Sequence, residues 1–354
     1  MKTKVPEKKK RYYCLGFTFI GKALERYTNE YDFTYVTFTS SIKGSINTIN
    51  AIKQIQNDKI NPPYDVVHLS SWESLLVYKK KIPNQIFIAH PHGFIAGINY
   101  DRTIKDIPFF RRQVHLIIKL FFDKCIRKKY QQADIMYVST PNMLEHAKKI
   151  REDAIWLPNP INKDLLNPSL PKIVLEGNPS VFMPTRMHTY KNPLFGVNLF
   201  KKIKAKYPKA KLHVVRYPTG DDDPLFNEMM TMLPKEDVII HPRIDRTQVG
   251  TYYKSADLLL GQFNENYANF SLVELDGMAC GAAVVTLDKY EIKNEYSSLE
   301  NLEKLAFRLL EDKKFRKKII DRNLKYVSTV HSEKNVANIL QKDIANARSK
   351  LKIQ

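Results

Sequence analysis

Short apolar runs alternate with longer amphipathic stretches along this chain. The runs have the length and composition of buried strands, and the stretches between them have helical periodicity. This alternation predicts parallel sheets with helices on both faces. In the first half the predicted strands are Tyr12–Phe17, Phe33–Phe38, Val66–Leu69, Ile86–Ala89 and Ile135–Val138. The predicted helices there are Gly21–Tyr27, Ile46–Gln56 and Phe110–Lys129.

The same alternation restarts in the second half. Its predicted strands are Val181–Met183, Lys211–Val215, Val238–His241, Leu258–Leu260 and Ala283–Thr286. Its predicted helices are Pro193–Tyr207, Phe226–Leu233, Thr247–Lys254 and Leu272–Cys280, followed by Leu299–Glu311, Lys313–Ser328 and Glu333–Leu351. Because ligands of open α/β sheets lie outside the carboxyl ends of the strands, we expect two doubly wound domains facing across a cleft.

The connection between the two halves is rich in turn-forming residues. Residues 156–171 contain four prolines and three asparagines, a composition typical of a linker. We therefore predict an N-terminal domain over residues 1–165 and a C-terminal domain over 166–330. The terminal helix, 331–354, is expected to cross back and pack on the N-terminal domain.

Composition excludes several classes of protein. With 43% hydrophobic residues in a chain of 354, each half can bury a sizeable core, so neither a disordered chain nor a disulfide scaffold is expected. The three cysteines, Cys14, Cys125 and Cys280, are too dispersed for a metal site and favour a reducing compartment, the cytoplasm. Lys119 interrupts the most apolar stretch, so any membrane contact is expected to be peripheral.

The net charge is +20, from 57 Lys and Arg residues against 37 Asp and Glu. Such an excess suits a polyanion, a membrane surface or an anionic small ligand. The stretch Phe109–Tyr130 mixes apolar and basic residues at helical spacing. It is either a helix that lies on anionic lipid or a core-packed helix with a solvated basic face. Because the cations are spread along the chain and no recognition motif occurs, we expect no specific nucleic-acid partner.

Many α/β folds carry a glycine-rich phosphate-binding motif. The chain contains neither GxxxxGK[ST] nor GxGxxG, which argues against a P-loop NTPase or a nicotinamide dehydrogenase. The segment from Asn269 instead predicts a loop and then a helix closed by Gly281, with free N–H donors at Ser271 and Leu272. An ordinary helix–glycine–strand unit is the alternative interpretation.

Several segments, taken in order, resemble glycosyltransferase family 4, the group 1 glycosyltransferases with the two-domain GT-B fold. The matching segments are His90–Phe94, Ala133–Thr140, Leu157–Asn162, Met183–Asn192, Ala256–Asp257 and Leu275–Gly281. The resemblance implies retaining transfer of a sugar from a nucleotide diphosphate sugar to a glycan or lipid-linked acceptor. It also implies no cofactor and no metal ion. The alternative is a catalytically weakened relative that binds nucleotide sugar or glycan without turnover.

Two cations are candidates for the leaving group. Departure of a diphosphate requires preorganised positive charge, and Arg186 and Lys191 lie in a loop that follows a predicted strand. The resemblance implies that they are the diphosphate-binding and catalytic Arg and Lys. Two solvated surface cations are the alternative.

The helix start is the second part of the expected donor site. The resemblance places Asn269, Phe270, Ser271 and Leu272 against the donor, and it gives Asp276 the position of a carboxylate that binds the ribose hydroxyls. Asp keeps the acceptor oxygens of the usual Glu but is one methylene shorter.

One expected carboxylate is missing. The first glutamate of the family's Glu-x7-Glu motif falls on Ala268, whose methyl group cannot hold sugar hydroxyls. The preceding loop is longer than usual and contains Glu265, so our hypothesis is that Glu265 occupies the vacated place as a catalytic residue. A changed donor subsite or a lost activity is the competing interpretation.

A histidine is expected near the reacting sugar. His92 precedes a glycine in the loop 90–94 and resembles the family's histidine, which could donate to a sugar hydroxyl or polarise the acceptor. His90 is the alternative in the same loop. Nothing in the chain predicts a covalent nucleophile.

Overall fold

The computed structural model describes residues 9–16, 18–37, 64–70, 74, 75, 78, 82–91, 124–217, 223–292 and 295–353. These residues form two compact units. The first unit comprises Met1–Pro160 and Glu333–Gln354, and the second comprises Ile161–Ser332. The chain thus enters the second unit within the proline-rich connection and leaves it immediately before the last helix. No helix among the described residues is long and apolar enough to cross a membrane.

The first unit contains a parallel six-stranded sheet with the order β2-β1-β3-β4-β5-β6. Its strands are β1 Lys10–Gly16, β2 Tyr31–Thr37, β3 Val66–Leu69, β4 Ile86–Ala89, β5 Ile135–Val138 and β6 Ile155–Trp156. All four residues of each of the strands β3, β4 and β5 are buried. A parallel sheet is covered by helices on both faces, so its strands are continuous apolar runs in the sequence.

Neighbouring residues of β1 face opposite sides of the sheet. Tyr12 belongs to the core on one side, where helices α1 and α9 pack, while Tyr13 belongs to the core on the other. The named helices of this unit are α1 Thr18–Glu25, α2 Pro141–Lys148 and α9 Glu333–Ile353. Residues 124–132 are also helical; Ile126 and Tyr130 are buried there, whereas Arg127 and Lys128 are exposed.

The second unit contains a parallel five-stranded sheet with the order β11-β10-β7-β8-β9. Its strands are β7 Ser180–Met183, β8 Lys211–Val215, β9 Val238–His241, β10 Leu258–Leu260 and β11 Val284–Val285. Its helices are α3 Pro193–Lys206, α4 Asp223–Met232, α5 Val249–Ser255, α6 Leu272–Ala279, α7 Leu299–Glu311 and α8 Lys313–Val330. One contiguous apolar core joins these elements.

The strand order places a topological switch point in the second sheet. β7 comes first in the sequence, yet it lies between β8 and β10. From β7 the chain continues to β8, towards one edge of the sheet. From β10 it continues to β11, towards the opposite edge. The loops at the carboxyl ends of these two strands part from each other and leave a crevice, which is where open α/β sheets bind ligands.

Candidate active site

The loop after β7 carries the two predicted diphosphate-binding cations. It ends in a short 3-10 helix, Thr189–Lys191, followed by Asn192 in the left-handed conformation with φ 49°. Asn tolerates this conformation better than most residues, and Pro193 then starts α3 at its first position. The turn keeps Lys191 at the switch point. Arg186 and Lys191 are both half-buried, so the structure places both in this loop.

Hydrogen bonds join this loop to the one that follows β10. The Phe263 N–H donates to the Lys191 carbonyl at 2.9 Å, and Asn192 Nδ2 donates to the Phe263 carbonyl at 3.3 Å. Asn264 Nδ2 donates to the Thr189 carbonyl at 3.4 Å. The backbone that carries Lys191 is therefore held by the neighbouring loop.

The start of α6 is closed by a capping box. The Ser271 N–H donates to Glu274 Oε2 at 2.7 Å, and the Ser271 hydroxyl donates to the same oxygen. The expectation of a free N–H donor at Ser271 differs from the structure, because the carboxylate three residues later satisfies that donor. Leu272 is the first helical residue.

Glu274 also reaches the end of β10. The Gln262 N–H donates to Glu274 Oε1 at 2.8 Å, and the carboxylate is fully buried. A Cβ on Gly261 would lie 2.5 Å from Glu274 Oε1, so glycine is what allows this close approach. The β10 loop is thus bonded to Lys191 on one side and to the α6 start on the other.

Burial and the Glu274 carboxylate both act on the pKa of Lys191. Burial lowers the pKa of Lys191 below its ordinary value, because a charged ammonium loses hydration there. The Glu274 carboxylate acts in the opposite direction and favours the charged amine. The site therefore presents a partly desolvated cation, which interacts more strongly with an anion than a solvated cation does.

Asp276 lies on α6 with its side chain almost wholly buried, the residue being 3% exposed. Its Oδ2 is 3.5 Å from Arg246 Nη2, and its Oδ1 has no hydrogen-bond partner among the described residues. Burial raises the pKa of Asp276 to about 7; Arg246 opposes this shift and Glu274 adds to it. Asp276 thus keeps an unused acceptor oxygen.

Ala268 and Glu265 occupy different environments. Ala268 is buried at 1% exposure, whereas the Glu265 side chain is 60% exposed and its Oε1 lies 3.6 Å from Lys289 Nζ. The Lys289 N–H in turn donates to the Ala268 carbonyl at 2.8 Å. Glu265 lies at the surface of the loop that contains Ala268, and its role as a replacement stays a prediction.

The two residues before α6 differ in exposure. The Phe270 ring is buried against Tyr296, with the ring centroids 5.8 Å apart, so any contact with a donor would come from its backbone. Asn269 is half-buried, and its carbonyl accepts from Gln262 Nε2 at 3.2 Å. Gln262 therefore holds this segment as well as the α6 carboxylate.

His92 lies outside the described residues, whereas its alternative His90 is described and fully buried. His90 Nδ1 is 3.1 Å from His68 Nε2, and His68 Nδ1 is 2.8 Å from the Tyr12 hydroxyl. Burial lowers the pKa of His68 to about 3, so this imidazole is neutral at pH 7. The three side chains form a buried chain of contacts in the first unit.

Residues 171–326 match the family model described as glycosyl transferases group 1. This segment is similar to group 1 glycosyltransferase domains, and we refer to residues 171–326 as the group 1 domain. It contains Arg186, Lys191 and the whole α6 start. Comparison with curated protein sequences gives no match.

Solved structures share the fold across the chain that carries this group 1 domain. Sucrose-phosphate synthase from Thermosynechococcus elongatus superposes with a TM-score of 0.71 at 15% identity, covering 97% of this chain and 100% of that one. HepE from Anabaena, in complex with UDP-glucose, gives 0.67 at 11% identity, with 95% and 99% covered. A glycosyltransferase from Rickettsia africae ESF-5 gives 0.63 at 15%, with 96% and 99% covered. The predicted α/β GT-B fold is confirmed.

Sequence reasoning missed four polar residues of the group 1 domain. Glu274 had a recognisable signal, since it stands three positions after a Ser that precedes an apolar helix. No sequence signal indicated Gln262 or Arg246, because the residues that they contact are distant in the sequence. Thr185 follows β7 and buries a hydroxyl that has no hydrogen-bond partner among the described residues.

No cluster of three or more His, Cys, Asp or Glu side chains that could hold a metal ion occurs in the described part of the chain. Independence of a metal ion stays a prediction.

Proposed function

We propose that this protein transfers a glycosyl group, with retention of configuration, from a nucleotide diphosphate sugar to a glycan or lipid-linked acceptor. The observation that carries the proposal is the meeting of Lys191 and the α6 start at the switch point of the group 1 domain, through the bonded loop 262–263. The first places a desolvated cation, and the second bears the carboxylate of Asp276.

Each part of the site has a role in such a transfer. Arg186 and Lys191 stabilise the negative charge that develops on the departing diphosphate, so neither a metal ion nor another cofactor is required. The Leu272 N–H and the backbone of Asn269 and Phe270 flank the phosphates, as the resemblance implies. Asp276 accepts hydrogen bonds from the ribose hydroxyls. Binding charge in this way lowers the barrier because it favours the transition state over the ground state.

We assign the acceptor side to the first unit, as the resemblance implies. We assign to His92 a hydrogen bond with a hydroxyl of the reacting sugar, again from the resemblance. The departing phosphate takes the proton of the acceptor on the same face, which accounts for retention without a covalent intermediate. Dispersed cysteines, two of them buried, support a reducing compartment for the reaction.

A catalytically weakened binder is the second candidate function. The observation that favours it is the burial of Ala268, together with the exposure of Glu265 beside Lys289. A donor subsite without the first carboxylate loses hydroxyl contacts to the sugar and keeps the contacts to the nucleotide. Binding would then persist while transfer is slowed.

A ligand screen distinguishes the two candidates. UDP-, ADP- and GDP-sugars are tested for thermal stabilisation of the full chain and then for donor hydrolysis. Binding at a hundredfold excess over Kd stabilises the folded state by about 2.7 kcal/mol, which is easily detected. Stabilisation with hydrolysis supports the enzyme, and stabilisation without hydrolysis or transfer supports the binder. Stabilisation by none of the sugars contradicts both.

Contact with an anionic membrane is a further part of the proposed acceptor side. Most of the stretch 109–130 lies outside the described residues. Its described end buries Ile126 and Tyr130 and exposes Arg127 and Lys128, which favours the packed helix with a basic outer face. That basic face is the part that would contact anionic lipid. Sedimentation with vesicles of neutral or anionic lipid tests the contact. Salt-sensitive binding to the anionic vesicles alone is the expected result.

A further inference from the structure

Arg246 and Asp276 form an asymmetric pair. The Arg246 side chain, from the loop after β9, is 52% exposed, whereas that of Asp276 is 5% exposed. The distance from Nη2 to Oδ2 is 3.5 Å, longer than a good charge-assisted hydrogen bond. The second oxygen, Oδ1, has no hydrogen-bond partner among the described residues. Arg246 therefore holds the Asp276 carboxylate at one oxygen, Oδ2, and leaves the other, Oδ1, able to accept a hydrogen bond.

Three other ionisable groups near Asp276, in the described part of the chain, do not stabilise its charge. Glu274, on the same helix, disfavours ionisation of Asp276. Tyr253 on α5 and Cys280 at the end of α6 have pKa values that the Asp276 charge raises. Among the described residues, Arg246 is the charged group that favours the ionised carboxylate of Asp276.

We propose that Arg246 is a positioning residue for donor binding, which holds Asp276 as a carboxylate acceptor for the vicinal hydroxyls of the donor's ribose. This inference rests on the proposed function, since that function assigns the ribose to Asp276. Arg246 itself contacts Asp276 rather than the reacting atoms.

The physical reason is the number of acceptor sites. An ionised carboxylate accepts hydrogen bonds at both oxygens, whereas the protonated acid carries a donor in place of one acceptor. Two ribose hydroxyls are both donors towards a carboxylate, so protonation removes a charge-assisted hydrogen bond. The pKa of Asp276 is raised by burial to about 7 even with Arg246 opposing the shift. Without that cation the carboxyl group would therefore be protonated over a wider range of pH around neutrality.

The test is the pH dependence of donor affinity in Arg246→Gln. The probe is whichever of UDP-glucose, ADP-glucose and GDP-mannose stabilises the wild type most, because their phosphate diester groups do not titrate between pH 5.5 and 8.5. Affinity should fall as pH falls through the pKa of Asp276. In Arg246→Gln the midpoint should move upward, so that Kd at pH 7 rises roughly tenfold and recovers at higher pH.

Three variants serve as controls. Arg243→Gln removes an exposed arginine of the same loop and should leave the midpoint in place. Arg246→Lys keeps a cation and should restore most of the wild-type profile. Asp276→Asn should bind the donor weakly at every pH. Its donor affinity should not rise with pH, because the titrating carboxyl group is absent.

The outcomes separate this inference from the proposed function. A midpoint that moves in Arg246→Gln, and not in Arg243→Gln, supports it. An Arg246→Gln profile that matches the wild type, or that is weaker by the same factor at every pH, overturns it while leaving the proposed function intact. A wild type that binds none of the three sugars overturns both.

Discussion

The Phe263 N–H donates to the Lys191 carbonyl at 2.9 Å, which bonds the loop after β10 to the loop after β7. The residue before Phe263, Gln262, donates its N–H to the buried Glu274 carboxylate at 2.8 Å. Two consecutive N–H groups therefore fix the loop that carries Lys191 relative to the start of α6. A charged group positioned in advance stabilises a developing charge without reorganising during the reaction.

Glu274→Gln should weaken the connection between the loop after β10 and the start of α6. Both Glu274 oxygens accept from N–H donors, so the amide of Gln must turn its NH2 group towards Gln262 or Ser271. We expect a loss of about 2 kcal/mol in the free energy of unfolding, the cost of leaving a buried donor without an acceptor. The urea midpoint of the full chain measures it.

The control for that variant is Glu300→Gln, which changes an exposed acid at the first turn of α7 and should leave the midpoint unchanged. Equal midpoints for Glu274→Gln and the wild type would show that Glu274 does not hold the α6 start.

Glu265→Gln tests the replacement for the carboxylate missing at Ala268. If Glu265 turns inward to bind the donor sugar, both donor hydrolysis and transfer should fall by roughly tenfold or more, because a hydroxyl partner made in the transition state is lost. Initial rates at saturating donor measure the effect. Glu228→Gln, an exposed acid on α4, is the matched control. Rates unchanged by Glu265→Gln would disprove the replacement and favour the weakened binder.

Asp276→Asn should stabilise the fold while it weakens donor binding. Burial raises the pKa of Asp276 to about 7, above its unfolded value of 3.8, so the folded state binds the proton more tightly. Ionisation therefore costs stability increasingly as pH rises from about 4 to about 7, and the cost is constant above that range. We expect a gain on the order of 1–3 kcal/mol at pH 8, and a smaller gain at pH 5.

Urea unfolding at the two pH values measures this gain, with Asp321→Asn as an exposed control on α8. A gain of the same size at pH 5 and pH 8 would mean that Asp276 is ionised throughout, contrary to the raised pKa.

The fold was predictable because parallel strands are continuous apolar runs. The predicted bounds of β3, β4 and β5 match the structure, as do those of β8, β9 and β10. The helix Pro141–Lys148 was missed, although Thr140 caps it and Pro141 begins it, because its apolar face is short. The two-residue strand β6 was missed because it lies in a segment with linker composition.

The site was less predictable, because its bonds connect residues far apart in the sequence. Arg186 and Lys191 could be placed by the strand before their loop. The engagement of the Ser271 N–H by Glu274 could have been deduced from the spacing of a capping box. The pairing of Arg246 with Asp276 could not, since a loop after β9 and the second turn of α6 meet only in the folded sheet.

Lys191→Ala tests whether this lysine neutralises the departing diphosphate. The rate of donor hydrolysis by the full chain is measured with the sugar nucleotide that the ligand screen selects, beside Lys201→Ala, an exposed lysine of α3. We expect that kcat falls roughly a hundredfold in Lys191→Ala and is unchanged in Lys201→Ala. Equal hydrolysis rates for Lys191→Ala and the wild type would contradict it.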